Sequence, residues 1–428
     1  MESKGVYFWD LETYPTIFTA TFIDKDTDEI FQFIINDTTD QKEDFINFLD
    51  NKVTWLVGYN PLHFDSQIVE YIYRYPTCTH RDIANYAAII TSNNDRQPDV
   101  PEWRLRHKHL DLFRALSLSV KAKRTGLKWC EYSMNMDNIE DLPSQGEGDS
   151  WIQQVLNYNK HDVIATRELY NKHRSEIELR KLITAKEGVN VLNSTEPDIS
   201  KKLFLHWLSK AMNVSKSDLA SMGTDRKWVN VKDIIFPYIE FKTPLLNSVK
   251  QEFEKLSLHP GSKFDKEIVF GGIKTTFGLG GLHGAVENKL IKSDDTYIIK
   301  SLDVVSFYPN LAIRNKLHPE HIPQDIFCNL YEGLFNERRS IPKSDPRNYV
   351  LKIALNALYG LTNDKFSFLR DRQFTVAICI NGQLLLSMLA ERLLLEIPDS
   401  KMVMFNTDGM EILIPREYQD KYLEICKW

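Results

Sequence analysis

Residues 6–12 read Val-Tyr-Phe-Trp-Asp-Leu-Glu, an apolar, aromatic run that ends in two carboxylates two positions apart. Side chains along a β-strand alternate between faces, so Asp10 and Glu12 share one. A face with two carboxylates cannot be sealed as dry core, because both resist losing water and each repels the other. Such a strand end must open onto solvent or hold a cation between the acids, and a divalent cation is the common solution. Taken alone, the pair is a weak signal and reads first as a solvated strand end.

The downstream residues frame this pair in an α/β domain. Ile17–Ile23 and Ile30–Ile35 flank Asp24-Lys-Asp-Thr-Asp28, a hairpin signal, so residues 6–36 are expected to form a three-strand meander. Asp40–Leu49 reads as a helix, Thr54–Tyr59 as a buried strand, and Asp65 to about Tyr73 as a second helix. Residues 91–102 read as a polar loop and His109–Leu116 as another strand. Asp149 is expected to cap a long helical stretch through Leu182. Strands first, then strands alternating with helices, indicate an α/β domain ending near residue 185.

Beyond it, residues 186–260 carry no clear pattern. The glycine-rich stretch from Phe270 to Gly284 reads as loops or a β-region where backbone comes close to something. Tyr297–Leu302 reads as a strand, and Asn348–Tyr359 and Asn381–Leu395 as helices. Met402–Phe405 and Met410–Ile414 read as strands flanking a four-residue turn signal, Asn406-Thr407-Asp408-Gly409. A chain of 428 residues holds two to four domains at roughly 100–200 residues each, so the expected class is a multidomain mixture of α/β and α+β.

Composition narrows the field. Cys78, Cys130, Cys328, Cys379 and Cys426 are scattered, odd in number and without a C-x-x-C pair, which argues against zinc ribbons and disulfide scaffolds and for reduced, mostly buried thiols. No unbroken apolar run reaches the ~18–20 residues that span a bilayer, and the N-terminus lacks the pattern of a signal peptide. A cytoplasmic protein without a membrane partner is expected. The net charge of −6 argues weakly against nucleic acid, although acid clusters that bind cations lower net charge without repelling DNA.

Two further acids extend the first pair. Asp65 follows Asn60 and Phe64 just after the strand Thr54–Tyr59, and Asp162 lies four residues after Tyr158 on the long helix, hence on the same face. Singly, Asp65 could be a helix N-cap and Tyr158 with Asp162 an ordinary helix face. In the order D-x-E, N-x-x-x-F-D, Y-x-x-x-D, the three segments resemble the DEDD family of 3′–5′ exonucleases in its tyrosine-bearing subclass. That resemblance implies an RNase H-like domain in which Asp10, Glu12, Asp65 and Asp162 hold two Mg²⁺ ions roughly 3.5–4 Å apart. It implies that Tyr158 orients the attacking water and that Asn60 and Phe64 contact a frayed single strand. His161 reads as a surface residue, and Asp111 as a candidate neighbour of the site.

A second series lies further along the chain. Asp303-Val-Val-Ser306-Phe307-Tyr308-Pro309 comes after the strand Tyr297–Leu302, Lys352-Ile-Ala-Leu-Asn356-Ala-Leu-Tyr359-Gly360 lies on a helix, and Asn406-Thr407-Asp408-Gly409 forms a turn. Each has an ordinary reading: a strand end, an exposed helix face, and a turn favoured by Asp-Gly alone. Together they resemble motifs A, B and C of family B DNA polymerases. The resemblance makes Asp303 and Asp408 ligands of two Mg²⁺, with Mn²⁺ as a substitute. It assigns the backbone near Ser306 and Phe307 to an incoming triphosphate and places Tyr308 under the sugar. Lys352 and Asn356 would line the nucleotide site, Arg339 and Lys343 from the basic stretch Arg338–Arg347 would add triphosphate contacts, and Tyr359 and Gly360 would sit near the nascent base pair. Motif C usually reads D-T-D-S; Asn406 removes one of its charges, so a retained but tuned site is expected.

The resemblance therefore implies an exonuclease domain over 1–185, a connecting region over 186–290, palm over 291–320 with motif A, fingers over 321–365 with motif B, and an incomplete palm over 366–428 with motif C and no thumb. The implied activity is DNA-directed DNA polymerisation with 3′–5′ proofreading on primer–template DNA and dNTPs. Partners would be replication accessory proteins or a separate C-terminal palm and thumb segment. The compact layout suggests a virus or mobile element, and so a host cytoplasm. The competing expectations are an exonuclease with an inactive polymerase module and a non-catalytic DNA-binding subunit.

Overall fold

A computed structural model of the chain describes residues 4–92, 97–120 and 124–427. The chain divides into two compact units, Met1–Ile199 and Ser200–Trp428, later than the boundary expected near 185.

The first unit is built on β1 (Gly5–Tyr14), β2 (Ile17–Asp24), β3 (Ile30–Ile35), α1 (Lys42–Lys52), β4 (Val53–Gly58), α2 (Asp65–Arg74), α3 (His80–Thr91), β5 (Lys108–Asp111), α4 (Leu112–Ala115), α5 (Leu127–Met134), α6 (Asp149–Lys172) and α7 (Arg174–Glu187). Its sheet has the order β3-β2-β1-β4-β5. The first three strands are antiparallel, and β1–β4 and β4–β5 are parallel. The meander forms as expected, but β1 runs on to Tyr14, so Asp10 and Glu12 lie inside the central strand rather than at its end.

Alternation along β1 sorts its side chains. Tyr7, Trp9 and Leu11 join one core, where Phe22 and Phe48 meet with ring centroids 4.8 Å apart. Phe8 joins the opposite core, formed with Val163, Leu169 and Tyr170 of α6. Each buried aromatic contributes about 1.5–3 kcal/mol. Asp10 and Glu12 share the parity of Phe8, and so face α6.

Several expectations need correction. His109–Leu116 is not one strand; β5 stops at Asp111, whose carboxylate caps the short helix α4 by accepting from Arg114 N–H. Asp149 is not the cap of α6; that position is Gly148, at φ +85°, and Asp149 is the first helical residue. The helical stretch breaks at His173 and resumes as α7. α3 was not foreseen, although Thr79 and Asp82 form a capping box at its start. The loop expected over 91–102 includes residues 93–96, which lie outside the described residues; Thr91 closes α3, and Glu102–Arg104 form a 3₁₀ turn.

The second unit is entered along α8 (Glu196–Met212). It continues with α9 (Lys216–Ala220), β6 (Val229–Asn230), α10 (Pro244–Glu254), β7 (Ser257–Leu258), β8 (Asp265–Phe270), β9 (Ile273–Gly278), β10 (Gly281–Ala285) and β11 (Tyr297–Asp303). After these come α11 (Phe307–Arg314), α12 (Gln324–Ser340), α13 (Pro346–Asn363), α14 (Arg372–Glu396), β12 (Lys401–Asn406), β13 (Gly409–Pro415) and α15 (Gln419–Cys426). Six strands form an antiparallel sheet in the order β11-β13-β12-β10-β9-β8. The glycine-rich stretch supplies β9 and β10, and β6 pairs with β7.

α14 is the core helix of this unit. It begins earlier than the expected Asn381, and it is long and apolar enough to cross a membrane by length and composition, with 78% of its most apolar window buried inside the protein. Counting unbroken runs missed it, because Asn381, Gly382, Gln383 and Ser387 interrupt the run. Those polar groups are used internally: Asn381 accepts from Phe236 N–H at 2.8 Å, and Gln383 both accepts from Gly278 N–H (3.0 Å) and donates to its carbonyl (2.7 Å). Buried amides paired in this way fix register instead of weakening the core. All five cysteines are free thiols; Cys78, Cys130 and Cys379 are buried and the other two half-buried.

Candidate active sites

In the first unit, ligand oxygens of Asp10, Glu12 and Asp162 all lie within 4.8 Å of one another. β1 delivers two of them on its α6-facing side, and α6 delivers the third. Asp65 is 5% exposed at the start of α2 and is held by backbone N–H groups, its own and that of Leu11. It adds its charge to the field at Asp10 but stands outside the three-oxygen group.

The group is electrostatically uncomfortable. Burial, then the charges of Asp65, Glu12 and Asp162, pushes the Asp10 carboxyl well above its usual range, and the amide of Asn159 partly offsets this with a 2.7 Å hydrogen bond. Burial and the charges of Asp162 and Asp65 push Glu12 up to about 8. Burial pushes Asp65 up to about 7. Burial also raises Asp162, against the pull of Lys128, whose Nζ lies 2.5 Å from Asp162 Oδ1. Four carboxylates with raised pKa values, Asp65 and Asp162 buried and Asp10 and Glu12 half-buried, have the donor chemistry of a divalent-cation site.

Tyr158, one helical turn before Asp162, donates its hydroxyl toward that carboxylate, and burial raises its pKa. Asn60 sits just past β4 in the left-handed region (φ +63°). Its backbone N–H donates to Asp111 Oδ1 at 3.2 Å, so Asp111 braces the loop between Asn60 and Asp65. Burial pushes Asp111 up to about 6, and its Oδ2 is buried without a hydrogen-bond partner. Phe64 is half-buried against the core of α1–α3.

Three features escaped sequence reasoning. Asn159 lies three residues before Asp162, so helix spacing alone puts it on the same face. Lys128, on α5, bridges Asp162 and Glu131 (3.2 Å) and lies 4.5 Å over the Tyr158 ring; only tertiary packing brings it there. His161 is not a surface residue: its side chain is 12% exposed, and its Nε2 lies 3.1 Å from the fully buried Glu131.

In the second unit, Asp303 ends β11 and Asp408 sits in the hairpin joining β12 to β13. The register pairs Asp303 with Gly409, and Val304 N–H donates to the Asp408 carbonyl at 2.9 Å, so the two acids are neighbours across the ladder. Both are exposed. The expected four-residue turn is tighter, because Asn406 and Gly409 already pair and leave Thr407 (φ +53°) and Asp408 as the loop. A Cβ at Gly409 would stand 2.8 Å from the Leu302 carbonyl, so the close approach of β11 requires glycine there.

After Asp303 the chain turns through Ser306 in the left-handed region (φ +48°) and enters α11. There a cleft of about 1480 Å³ opens, lined by Asp303, Ser306, Phe307, Arg339, Lys343 and Lys352 among others. Arg338 and Arg314 also line it, and none of its arginines or lysines from this set pairs with a carboxylate among the described residues. Arg347 is different, because it forks onto Glu337. Tyr308, Asn356 and Asp408 do not line the cleft. Tyr308 packs instead on Tyr359 with ring centroids 5.0 Å apart, and Tyr359 Oη lies 2.9 Å from the Cys379 thiol. A side chain at Gly360 would meet nothing within 4 Å, so this glycine answers no packing need of its own chain.

No family model matches the chain, and no curated protein matches it. Among solved structures, the family B DNA polymerase of the hyperthermophilic archaeon Pyrobaculum calidifontis matches with a TM-score of 0.54 at 14% identity, over 99% of this chain and 55% of that one. The chain has a fold related to that polymerase and spans about half its length.

Proposed function

We propose that the chain is a DNA-directed DNA polymerase that also trims 3′ ends. The observation that carries this reading is that each unit brings carboxylates distant in sequence to one place on a β-sheet, at the positions of the exonuclease and polymerase motifs. The polymerase-related fold supports it, as does the β3-β2-β1-β4-β5 order, which suits an RNase H-like domain.

In the trimming site, Asp10, Glu12 and Asp162 would hold Mg²⁺, with Asp65 contributing charge; Asp303 and Asp408 would hold it in the copying site. When bound, the metal supplies an activated water or 3′ oxygen and neutralises the leaving group. The side chains do the rest. Asn159 fixes the Asp10 carboxylate. Tyr158 offers its hydroxyl to the attacking water, and Lys128 holds Asp162 in place. Asn60 and Phe64 would receive the single strand. In the copying site, Arg339, Lys343 and Lys352 present unpaired positive charge to a triphosphate, while Ser306 and Phe307 turn backbone toward it. Tyr308, propped on Tyr359, would read the sugar, and Gly360 leaves room for the base pair.

A Mg²⁺-dependent assay on a labelled primer–template tests this. The wild type should extend with dNTPs and shorten without them. Asp10→Ala should lower shortening about a thousandfold and spare extension, and Asp303→Ala should do the reverse, since each removes several kcal/mol of charge stabilisation from one site. Shortening that survives Asp10→Ala, or extension that survives Asp303→Ala, overturns the assignment. One observation favours a second reading, trimming alone: among the described residues, the group that brings three ligand atoms together is in the first unit. Shortening without extension would support it.

A further inference from the structure

A second pocket lies in the second unit and shares no lining residue with the cleft at Asp303. It encloses about 470 Å³ and is lined by Arg226, Tyr359, Lys365, Arg370 and Arg372 among others. Two of its four cations are neutralised within the chain. Arg226 reaches Asp371 at 2.6 Å and Glu320 at 2.7 Å, and Arg370 reaches Asp225 at 2.9 Å. The other two, Lys365 and Arg372, pair with no carboxylate among the described residues.

Arg372 is oddly placed for a structural residue. Its Nη1 is buried and meets no hydrogen-bond acceptor, although a buried donor is normally satisfied. It is also the first residue of α14, where the positive end of the helix dipole disfavours a cation. Burial lowers its pKa, as expected for a charge lacking a counter-ion. An anion in the pocket would relieve all three. Lys365 is exposed beside it, with Nζ 4.7 Å over the ring of Phe366, and that ring is itself 75% exposed.

We propose that this pocket binds the phosphodiester backbone of a single-stranded nucleic acid through Arg372 and Lys365, with Phe366 as a stacking face beside it. A free nucleotide shares the phosphate chemistry. The strand is favoured because an exposed ring beside two unpaired cations is the pairing that holds single strands, and because the cleft at Asp303 has a larger set of unpaired cations for a triphosphate. Tyr359 forms one wall of the pocket, and its ring rests on Tyr308, whose chain neighbour Phe307 lines that cleft. A strand leaving the pocket along Tyr359 would arrive where copying is proposed. Only its identity as template rests on the proposed function.

The test uses the full chain in chelator, so that nothing is hydrolysed. Fluorescence anisotropy over a salt series compares a primer–template with a single-stranded 5′ template overhang and a blunt duplex, for wild type, Lys365→Gln and Arg372→Gln. Each variant should weaken binding of the overhang about three- to tenfold and reduce the slope of log K against log salt by about 0.7 per lost phosphate contact. Blunt-duplex binding and dATP binding should not change. Wild-type affinity and slope in Lys365→Gln, whose exposed position makes it safe to replace if Arg372→Gln fails to fold, overturns the proposal. So does a loss of dATP binding without loss of overhang binding. Because catalysis is not read, a protein that neither extends nor trims can still keep this pocket, and an active one can lack it.

Discussion

Asp10, Glu12 and Asp162 are packed between β1 and α6, whereas Asp303 and Asp408 stand exposed at the end of the β11–β13 ladder. Both sets suit the same cation, but they pose different physical problems. The first set is largely withdrawn from water, with Asp10 and Glu12 half-buried and Asp162 buried, so its charges raise one another's pKa values and lean on Lys128 and Asn159. The second keeps its water and has little to gain from a cation until a phosphate arrives in the cation-lined cleft. With Mg²⁺ bound as proposed, the first site would couple metal to folding and the second would couple metal to substrate.

The largest expected effect separating the two is on stability. Glu12 has an ordinary value of 4.5 and a folded value of about 8. Without metal, the folded state keeps a proton that the unfolded chain releases. The stability this confers is fully present below about 4.5 and is lost as pH rises through about 8. In chelator, hydrogen exchange of β1 and α6 amides should show local stability falling by on the order of 5 kcal/mol across that window. Mg²⁺ should restore it, and Glu12→Gln should make the profile shallower, leaving the slope that Asp10 and Asp65 contribute. The β11 and β13 amides should change little. Flat profiles for β1 and α6 in chelator would erase the contrast.

How much of this was legible in the sequence differs between the sites for the same reason. The i, i+2 spacing correctly put Asp10 and Glu12 on one face, because strand parity is local. It could not tell that β1 continues to Tyr14, since polar residues in a central strand look like a strand end unless the helix covering them is known. Asn159 was readable from helix spacing and was overlooked. Lys128 was not readable, because α5 carries no signal that it folds over α6. In the second unit, Asp303 and Asp408 were placed by strand and turn chemistry, both local. The separation of Arg347, tied to Glu337, from the unpaired Arg338, Arg339 and Lys343 needed the packing of α12 on α13. The polar interruptions that hid α14 are the same residues that bracket it into its core.

A smaller effect tests whether the proposed copying site can be disturbed alone. Gly382 lies in α14, where an added Cβ would meet Phe307 Cε1 at 3.2 Å and Leu311 Cδ1 at 3.4 Å. Gly382→Ala gains helix propensity, about 1 kcal/mol, but crowds the start of α11, which typically costs about 1–3 kcal/mol. The net should be near neutral to mildly destabilising in thermal melts. The displaced Phe307 should raise the KM for dNTPs several-fold while shortening stays at wild-type rate. An equal change in both activities would mean that the two sites are less separable than their environments suggest.

The smallest expected effect concerns Asn406, which stands where the motif that this turn resembles usually has a further carboxylate. Asn406 is exposed and pairs across the ladder with Gly409 on one side and His283 on the other. Its neighbour Asp408 is also exposed, so a charge added by Asn406→Asp acts through water, where two charges about 4 Å apart interact by only about 1 kcal/mol. Extension should change less than about tenfold, in either direction, with a lower Mg²⁺ requirement as the added carboxylate draws the ion in. The same replacement of amide by acid in the first unit, at the fully buried Asn159 (Asn159→Asp), would put a fifth carboxylate against Asp10 with little water to screen it, and should cost far more. If Asn406→Asp instead abolished extension, the contrast drawn from exposure between the two proposed sites would be wrong.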